Sequence, residues 1–321
     1  MSGISGLIDV HHHIIPKEYI EALAKIGVNT SIGRTFPDWD VATTLLVMDQ
    51  NGIETSIVSI SAPGVYFPGI DRPREFAADL ARKTNEICAG LIDDHPGRFG
   101  AFATLPLPDV DAALVELKYA LDVLKLDGVV LMSNYEGYYL GDPRFDRLMA
   151  ELNRRKAIVF IHPCSPPGIE RSHLGFPELM MDVCFDTTRT AYSLILKGAI
   201  RKYPDIRFIL AHAGGTVPYI AWRVALYAAF AGLKETIPEG LEFYLKKFYY
   251  DTALSASPYA FASLQRLTSA SQVLFGTDYV FLAAAGIPYT IKGIVEFNGY
   301  SVNDIAAIER KNAIELFPRL K

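Results

Sequence analysis

Short apolar runs alternate with longer amphipathic stretches from one end of this chain to the other. The runs are Leu7–Ile14, Thr55–Ile60, Phe99–Leu105, Asp127–Met132, Ile158–His162, Arg207–Ala211, Phe248–Ala253 and Val273–Thr277. Each is rich in Val, Ile, Phe or Tyr, the composition of strands buried on both faces. Between runs the period changes: Val110, Leu114, Leu117, Leu121 and Leu124 recur at three- and four-residue spacing. That spacing predicts a helix with one buried face, and Asp109 stands where an N-cap belongs. Asp38 and Ser301 are placed to cap two further helices. Strands alternating with helices predict a parallel sheet, and eight of them predict closure into a (β/α)8 TIM barrel, read as a single domain over residues 1–321. A doubly wound open sheet is the alternative, but no glycine-rich phosphate turn follows the first run.

Composition narrows the class. Half of the 321 residues are hydrophobic and 21% are charged, enough apolar material for a packed core. The net charge of −5 argues against a nucleic-acid partner, which calls for a basic face. The most apolar stretch, Val217–Leu233, is interrupted by Arg223 and is short for a bilayer, so no membrane partner is expected. Three cysteines with no close pair, and histidines where a signal segment would run, predict a reducing, cytoplasmic compartment.

The chemistry gathers at the ends of the runs. In a barrel the active site lies at the C-terminal ends of the strands. His11 and His13 close the first run two residues apart, so strand alternation turns both toward the barrel mouth and His12 away. His162 ends the fifth run, His212 the sixth and Asp278 the eighth. Neutral imidazoles and a carboxylate at one rim suit a divalent ion with a position left open for substrate. Asp251, ending the seventh run, is expected to support the site rather than to ligate. His173 lies in the long loop Cys164–Asp186, which has the length of a lid. Two-metal barrels need a bridging carboxylate, often a carbamylated lysine ending the fourth strand. Here that end reads Val130-Leu131-Met132-Ser133-Asn134, so one metal is expected. Three imidazoles and a carboxylate suit Zn²⁺, and Mn²⁺ also accepts such a set.

The ordered set Asp9-x-His11-x-His13, His162-Pro163, Ala211-His212-Ala213-Gly214-Gly215 and Gly276-Thr277-Asp278-Tyr279 resembles the amidohydrolase-related decarboxylases. These are the relatives of aminocarboxymuconate-semialdehyde and γ-resorcylate decarboxylases. Val10-His11-His12-His13-Ile14-Ile15-Pro16 and Phe185-Asp186-Thr187-Thr188-Arg189 are most similar to the fungal 6-methylsalicylate decarboxylases. The resemblance implies that His11, His13, His162 and Asp278 hold the metal and that His212 sits just outside them as a catalytic group. It also implies that Phe281 lines the substrate pocket and that the protein is a homodimer. Two departures stand out. Thr44 and Leu46 occupy the stretch where the semialdehyde enzymes carry arginines, and Val280 replaces the proline usual after the Asp-Tyr pair.

The expected reaction is non-oxidative decarboxylation of an ortho-hydroxybenzoic acid, with 6-methylsalicylate going to 3-methylphenol. Carboxylate and phenolic oxygen together would occupy one divalent ion, Asp278 would donate the proton, and no organic cofactor is needed. With no arginine at positions 44 and 46, the metal is expected to be the pocket's single charged anchor, facing apolar groups such as Phe281, Phe176 and Met180. Hydrolysis of a lactone or amide by the same ligands is the alternative within enzymes. A closed structural metal site is the alternative outside them, and it would ordinarily use thiolates.

Overall fold

The structure, a computed structural model, describes residues 6–171 and 175–320. His173 lies outside the described residues. Eight strands form one parallel sheet: β1 (Leu7–His13), β2 (Ile53–Ser59), β3 (Phe99–Thr104), β4 (Gly128–Met132), β5 (Ile158–His162), β6 (Arg207–Leu210), β7 (Tyr249–Asp251) and β8 (Val273–Leu274). They neighbour one another in sequence order. The backbone beyond β8 then returns to β1: Val10 N–H donates to Phe275 O at 3.0 Å and Asp278 N–H to His11 O at 2.8 Å. The sheet thus closes on itself as the predicted (β/α)8 barrel, and each apolar run coincides with a strand.

Two apolar layers follow from the strand alternation. Ile8, Val10, Ile57, Phe102, Val130, Phe160, Ile209 and Leu274 fill the barrel interior, with Leu316 and Phe317 packed against them. A larger layer lies between sheet and helices, and it includes Leu117 from the predicted amphipathic helix and Leu80 from the long helix Pro73–Asp94. Asp109 caps the former, accepting from Ala112 N–H, and that helix runs from Val110 into a π-helical turn ending at Val123. Ser301 forms a full capping box with Asp304. The expectation for Asp38 is corrected: the helix Val41–Gln50 is capped by Asp40, whose side chain accepts from Thr43 N–H. Among the described residues no helix is long and apolar enough to cross a membrane.

The segment after β5 also differs from expectation. It carries 3-10 turns at Ile169–Arg171 and Glu178–Met180, and the helix Asp182–Leu196 begins before the predicted loop end. Asp186 is therefore helical and fully buried. It accepts hydrogen bonds from Ser133, from Asn134 at 2.8 Å and from Tyr139 at 2.7 Å, which ties this helix to the end of β4.

Candidate metal centre

The first strand shows how the sequence aims two histidines at one point. Ile8 and Val10 face the barrel interior, so simple alternation would turn His12 inward next. The register against β2 slips between Asp9 and His12, where Asp9 pairs with Ser56 and His12 with Val58. One extra residue on β1 shifts the phase, as a bulge does beside many active sites. His11 and His13 consequently point into the mouth, and the His12 ring turns to Asp9, Nδ1 to Oδ2 at 2.9 Å. Asp9 does more than start the motif. It also accepts from His11 N–H at 3.0 Å, Thr277 N–H at 3.1 Å and Thr277 Oγ1 at 2.6 Å, tying the ends of the first and last strands together.

The other site residues come from strand ends with unusual backbone. His212 and Asp278 have φ of +57° and +65°, left-handed values that non-glycine residues adopt at a cost and that cluster at functional sites. Close packing explains the neighbouring glycines. A Cβ on Gly215 would lie 2.1 Å from Cys184 O, and one on Gly276 would lie 2.9 Å from His11 Cβ. Val280, where the resemblance calls for proline, is joined to Tyr279 by a cis peptide bond.

One potential ligand atom from each of His11, His13, His162 and Asp278 falls in a cluster whose members all lie within 4.8 Å of one another, and all four residues are buried. The hydrogen bonds behind the rings set their tautomers. Nδ1 of His11 faces Asp251 Oδ2 at 2.7 Å, Nδ1 of His13 faces Ser59 O at 3.3 Å and Nδ1 of His162 faces Pro163 O at 2.7 Å. Each Nδ1 therefore carries a ring proton, which leaves each Nε2, turned to the centre, as the atom available to a metal. Nε2 atoms of His11 and His13 approach to 3.0 Å, and Asp278 Oδ1 lies 3.3 and 3.1 Å from them. Converging lone pairs and a carboxylate in a dry pocket repel one another unless a cation sits among them. The donor set fits a divalent metal.

Charge balance supports the same conclusion. Burial alone would lower the His11 pKa, but the Asp251 and Asp278 carboxylates outweigh it and hold the ring up to about 10. Burial lowers His13, and burial together with the neighbouring imidazoles lowers His162 well below its ordinary value, so both stay neutral. Burial pushes Asp278 up, yet His11 and hydrogen bonds from the surrounding imidazoles prevail and hold the carboxyl well below its usual range. Without a metal, a proton on His11 occupies the electrostatic role that a cation would fill.

His212 stands beside this group, its Nε2 3.4 Å from Asp278 Oδ2 and its backbone N–H donating to Asp251 Oδ1 at 2.8 Å. Its Nδ1 is buried without a hydrogen-bond partner among the described residues.

A family model for amidohydrolases matches residues 8–319. The chain belongs to the amidohydrolase family. It is 36% identical over 323 residues to a 6-methylsalicylic acid decarboxylase of Aspergillus aculeatus, with 98% of this chain and 96% of that protein covered. A crystal structure of an amidohydrolase II superposes with a TM-score of 0.90 at 27% identity, covering 98% of this chain and all of the other. The structure of a 2,6-dihydroxybenzoate decarboxylase with 2,6-dihydroxybenzoate bound gives a TM-score of 0.78 at 25% identity, again over 98% of this chain and all of that one.

In this amidohydrolase a cavity of about 170 Å³ opens onto the group, lined by His162, His212, Asp278 and Phe281 among others. Phe281 packs edge-on against His13, with ring centroids 5.5 Å apart, and forms an aromatic part of this cavity's wall. Three expectations for this cavity are corrected. Leu46 is 55% exposed and Thr44 turns its hydroxyl to Asp40 O, so neither lines it. Phe176 and Met180 are exposed, and the cavity is lined instead by Leu179, on the turn Glu178–Met180, and by Val183, in the first turn of the helix Asp182–Leu196. The metal would not be the single charged anchor either. Arg34, on the hairpin Thr30–Thr35, lines the cavity and donates from Nη1 to Phe281 O at 3.1 Å. No periodicity marks Arg34 in the sequence; only the fold of the hairpin over the barrel brings it there.

Proposed function

We propose that this amidohydrolase is a carboxy-lyase that removes CO₂ from an ortho-hydroxybenzoic acid without oxidation, with 6-methylsalicylate going to 3-methylphenol. The observation that carries this reading is a lone-pair cluster built for a single divalent ion at the floor of a small, largely apolar cavity. The 36% identity to a 6-methylsalicylic acid decarboxylase across nearly the whole chain supports it. His11, His13, His162 and Asp278 would hold the metal, Zn²⁺ by preference and Mn²⁺ as the other suitable ion. When bound, such an ion supplies a positive centre that orients the substrate's carboxylate and phenolic oxygen.

The chain's own residues supply the rest. Phe281, Leu179 and Val183 bury the ring and exclude water. Asp278 is the candidate proton donor to the ring carbon bearing the carboxylate. As that C–H bond forms, the C–C bond to the carboxylate breaks, CO₂ leaves, and its electron pair restores the aromatic ring. Asp278 is held ionised by its neighbours, so the proton must first reach it. His212, 3.4 Å away, is the group placed to supply it. The reading takes residues 1–321 as one domain acting as a homodimer in the cytoplasm, which suits three free cysteines.

Product analysis tests it. Purified protein with Zn²⁺ or Mn²⁺ should convert 6-methylsalicylate to 3-methylphenol and CO₂, faster than salicylate and far faster than 3- or 4-hydroxybenzoate. Equal rates on 4-hydroxybenzoate and salicylate would refute anchoring through adjacent oxygens. A ring-opened lactone or amide product would move the chain to the hydrolases.

A further inference from the structure

The hairpin Thr30–Thr35 turns through Ile32 and Gly33, whose φ values are +47° and +74°. Two-residue hairpin turns with positive φ at both central positions are ordinarily built from Asn-Gly, Asp-Gly or Gly-Gly. A β-branched side chain in the left-handed region crowds its own backbone, which makes isoleucine an outlier there. Such a breach of local rules marks a side chain put to use elsewhere.

Ile32 stands where two cavities meet. The metal-side cavity, about 170 Å³, takes Ser61, His162 and Pro163 into its wall. A second cavity of about 500 Å³ takes Ala62, Met132 and Cys164. Successive residues at the ends of β2 and β5 thus face opposite chambers, and among the described residues Ile32 alone lines both. The metal-side chamber is smaller than the roughly 300 Å³ at which pockets for drug-sized ligands begin, so it suits one ring with a small substituent. The second chamber is bordered by Val65, Leu105, Leu107 and Val130, with Asn134 and Glu136 also in its wall, so it offers a mainly apolar surface to a short alkyl chain.

Resting on the reading of the metal-side cavity as an ortho-hydroxybenzoate site, the geometry points to the second cavity as a closed-off subsite for an alkyl chain on the ring. Ile32 is then the specificity-determining wall. It confines the substrate to a methyl-sized substituent, and its strained backbone is the consequence of holding a branched side chain at that point. Truncating it joins the chambers without asking more of the turn, since glycine is at home at positive φ.

The ratio of KM values, or of calorimetric Kd values where no CO₂ is released, for 6-methylsalicylate and 6-pentylsalicylate on the Zn²⁺-supplied protein tests the wall. Wild type should bind the methyl acid at least tenfold more tightly. In Ile32→Gly the ratio should move at least tenfold toward the pentyl acid, because each methylene buried is worth about fourfold in binding. Ile32→Ala, which keeps a Cβ in the turn, should shift the ratio the same way and serves if the glycine variant folds poorly. An unchanged ratio in a folded variant overturns the proposal, as does a wild type that already prefers the pentyl acid. CO₂ release is scored on the same samples. Binding without turnover would count against the decarboxylase reading, while the ratio would still decide on the wall.

Discussion

Asp251 holds His11 from behind, Oδ2 to Nδ1 at 2.7 Å, with both side chains fully buried. The contact fixes the His11 tautomer and leaves Nε2 for the centre, the arrangement that raises a histidine's strength as a metal ligand. Asp251→Asn keeps the shape and removes the charge. Metal affinity should fall about tenfold to a hundredfold, read by competition with a chelating dye. Unaltered affinity would reduce the contact to a structural one.

The cluster and His212 should separate on mutation. Alanine at His11, His13, His162 or Asp278 removes a proposed ligand and should abolish stoichiometric metal together with activity. His212→Ala leaves all four in place and should keep the metal while losing most of kcat, on the order of 10²–10⁴-fold for a lost proton-transfer group. Elemental analysis of each variant decides. Full occupancy in His162→Ala would remove His162 from the set, and metal loss in His212→Ala would add His212 to it.

Metal uptake should release a proton. His11 is held up to about 10, above its ordinary 6.5, so it is protonated in the metal-free protein at pH 8. Its Nε2 must give up that proton to a metal. Because the pKa is raised, the competition weakens as pH climbs toward 10, and apparent affinity should rise about tenfold per pH unit between 7 and 9. Titrations in buffers of different ionisation enthalpy should report about one proton released per metal. Zero release would contradict a protonated His11.

Arg34 should act on substrate binding. Its guanidinium lines the cavity and is anchored by only one of its donors, to Phe281 O, among the described contacts. A carboxylic acid entering there meets a cation at the mouth. Arg34→Ala should raise KM about tenfold with little change in kcat, the signature of lost uniform binding. Arg34→Lys, which keeps the charge but not the fork, should recover part of it. A drop in kcat at constant KM would place Arg34 in the chemical step instead.

Much of this molecule follows from local pattern. Eight apolar runs with amphipathic intervals determine the barrel, because a strand buried on both faces must be apolar throughout and its crossover helix must be striped. The same logic puts His162, Asp251 and Asp278 at one rim, since each ends a run. Tertiary structure decided what local pattern does not carry. Plain alternation reached the right inward pair on β1, yet the pair points inward only because a bulge between Asp9 and His12 shifts the phase set by Ile8 and Val10, and that slip is defined against β2. Pocket walls depend on how connections fold over the mouth. Arg34, Ile32, Leu179 and Val183 therefore could not be read from periodicity, while Leu46 and Met180, apolar and plausible by position, face solvent. Period encodes which face of an element is buried; it does not encode which loop covers the end of a barrel.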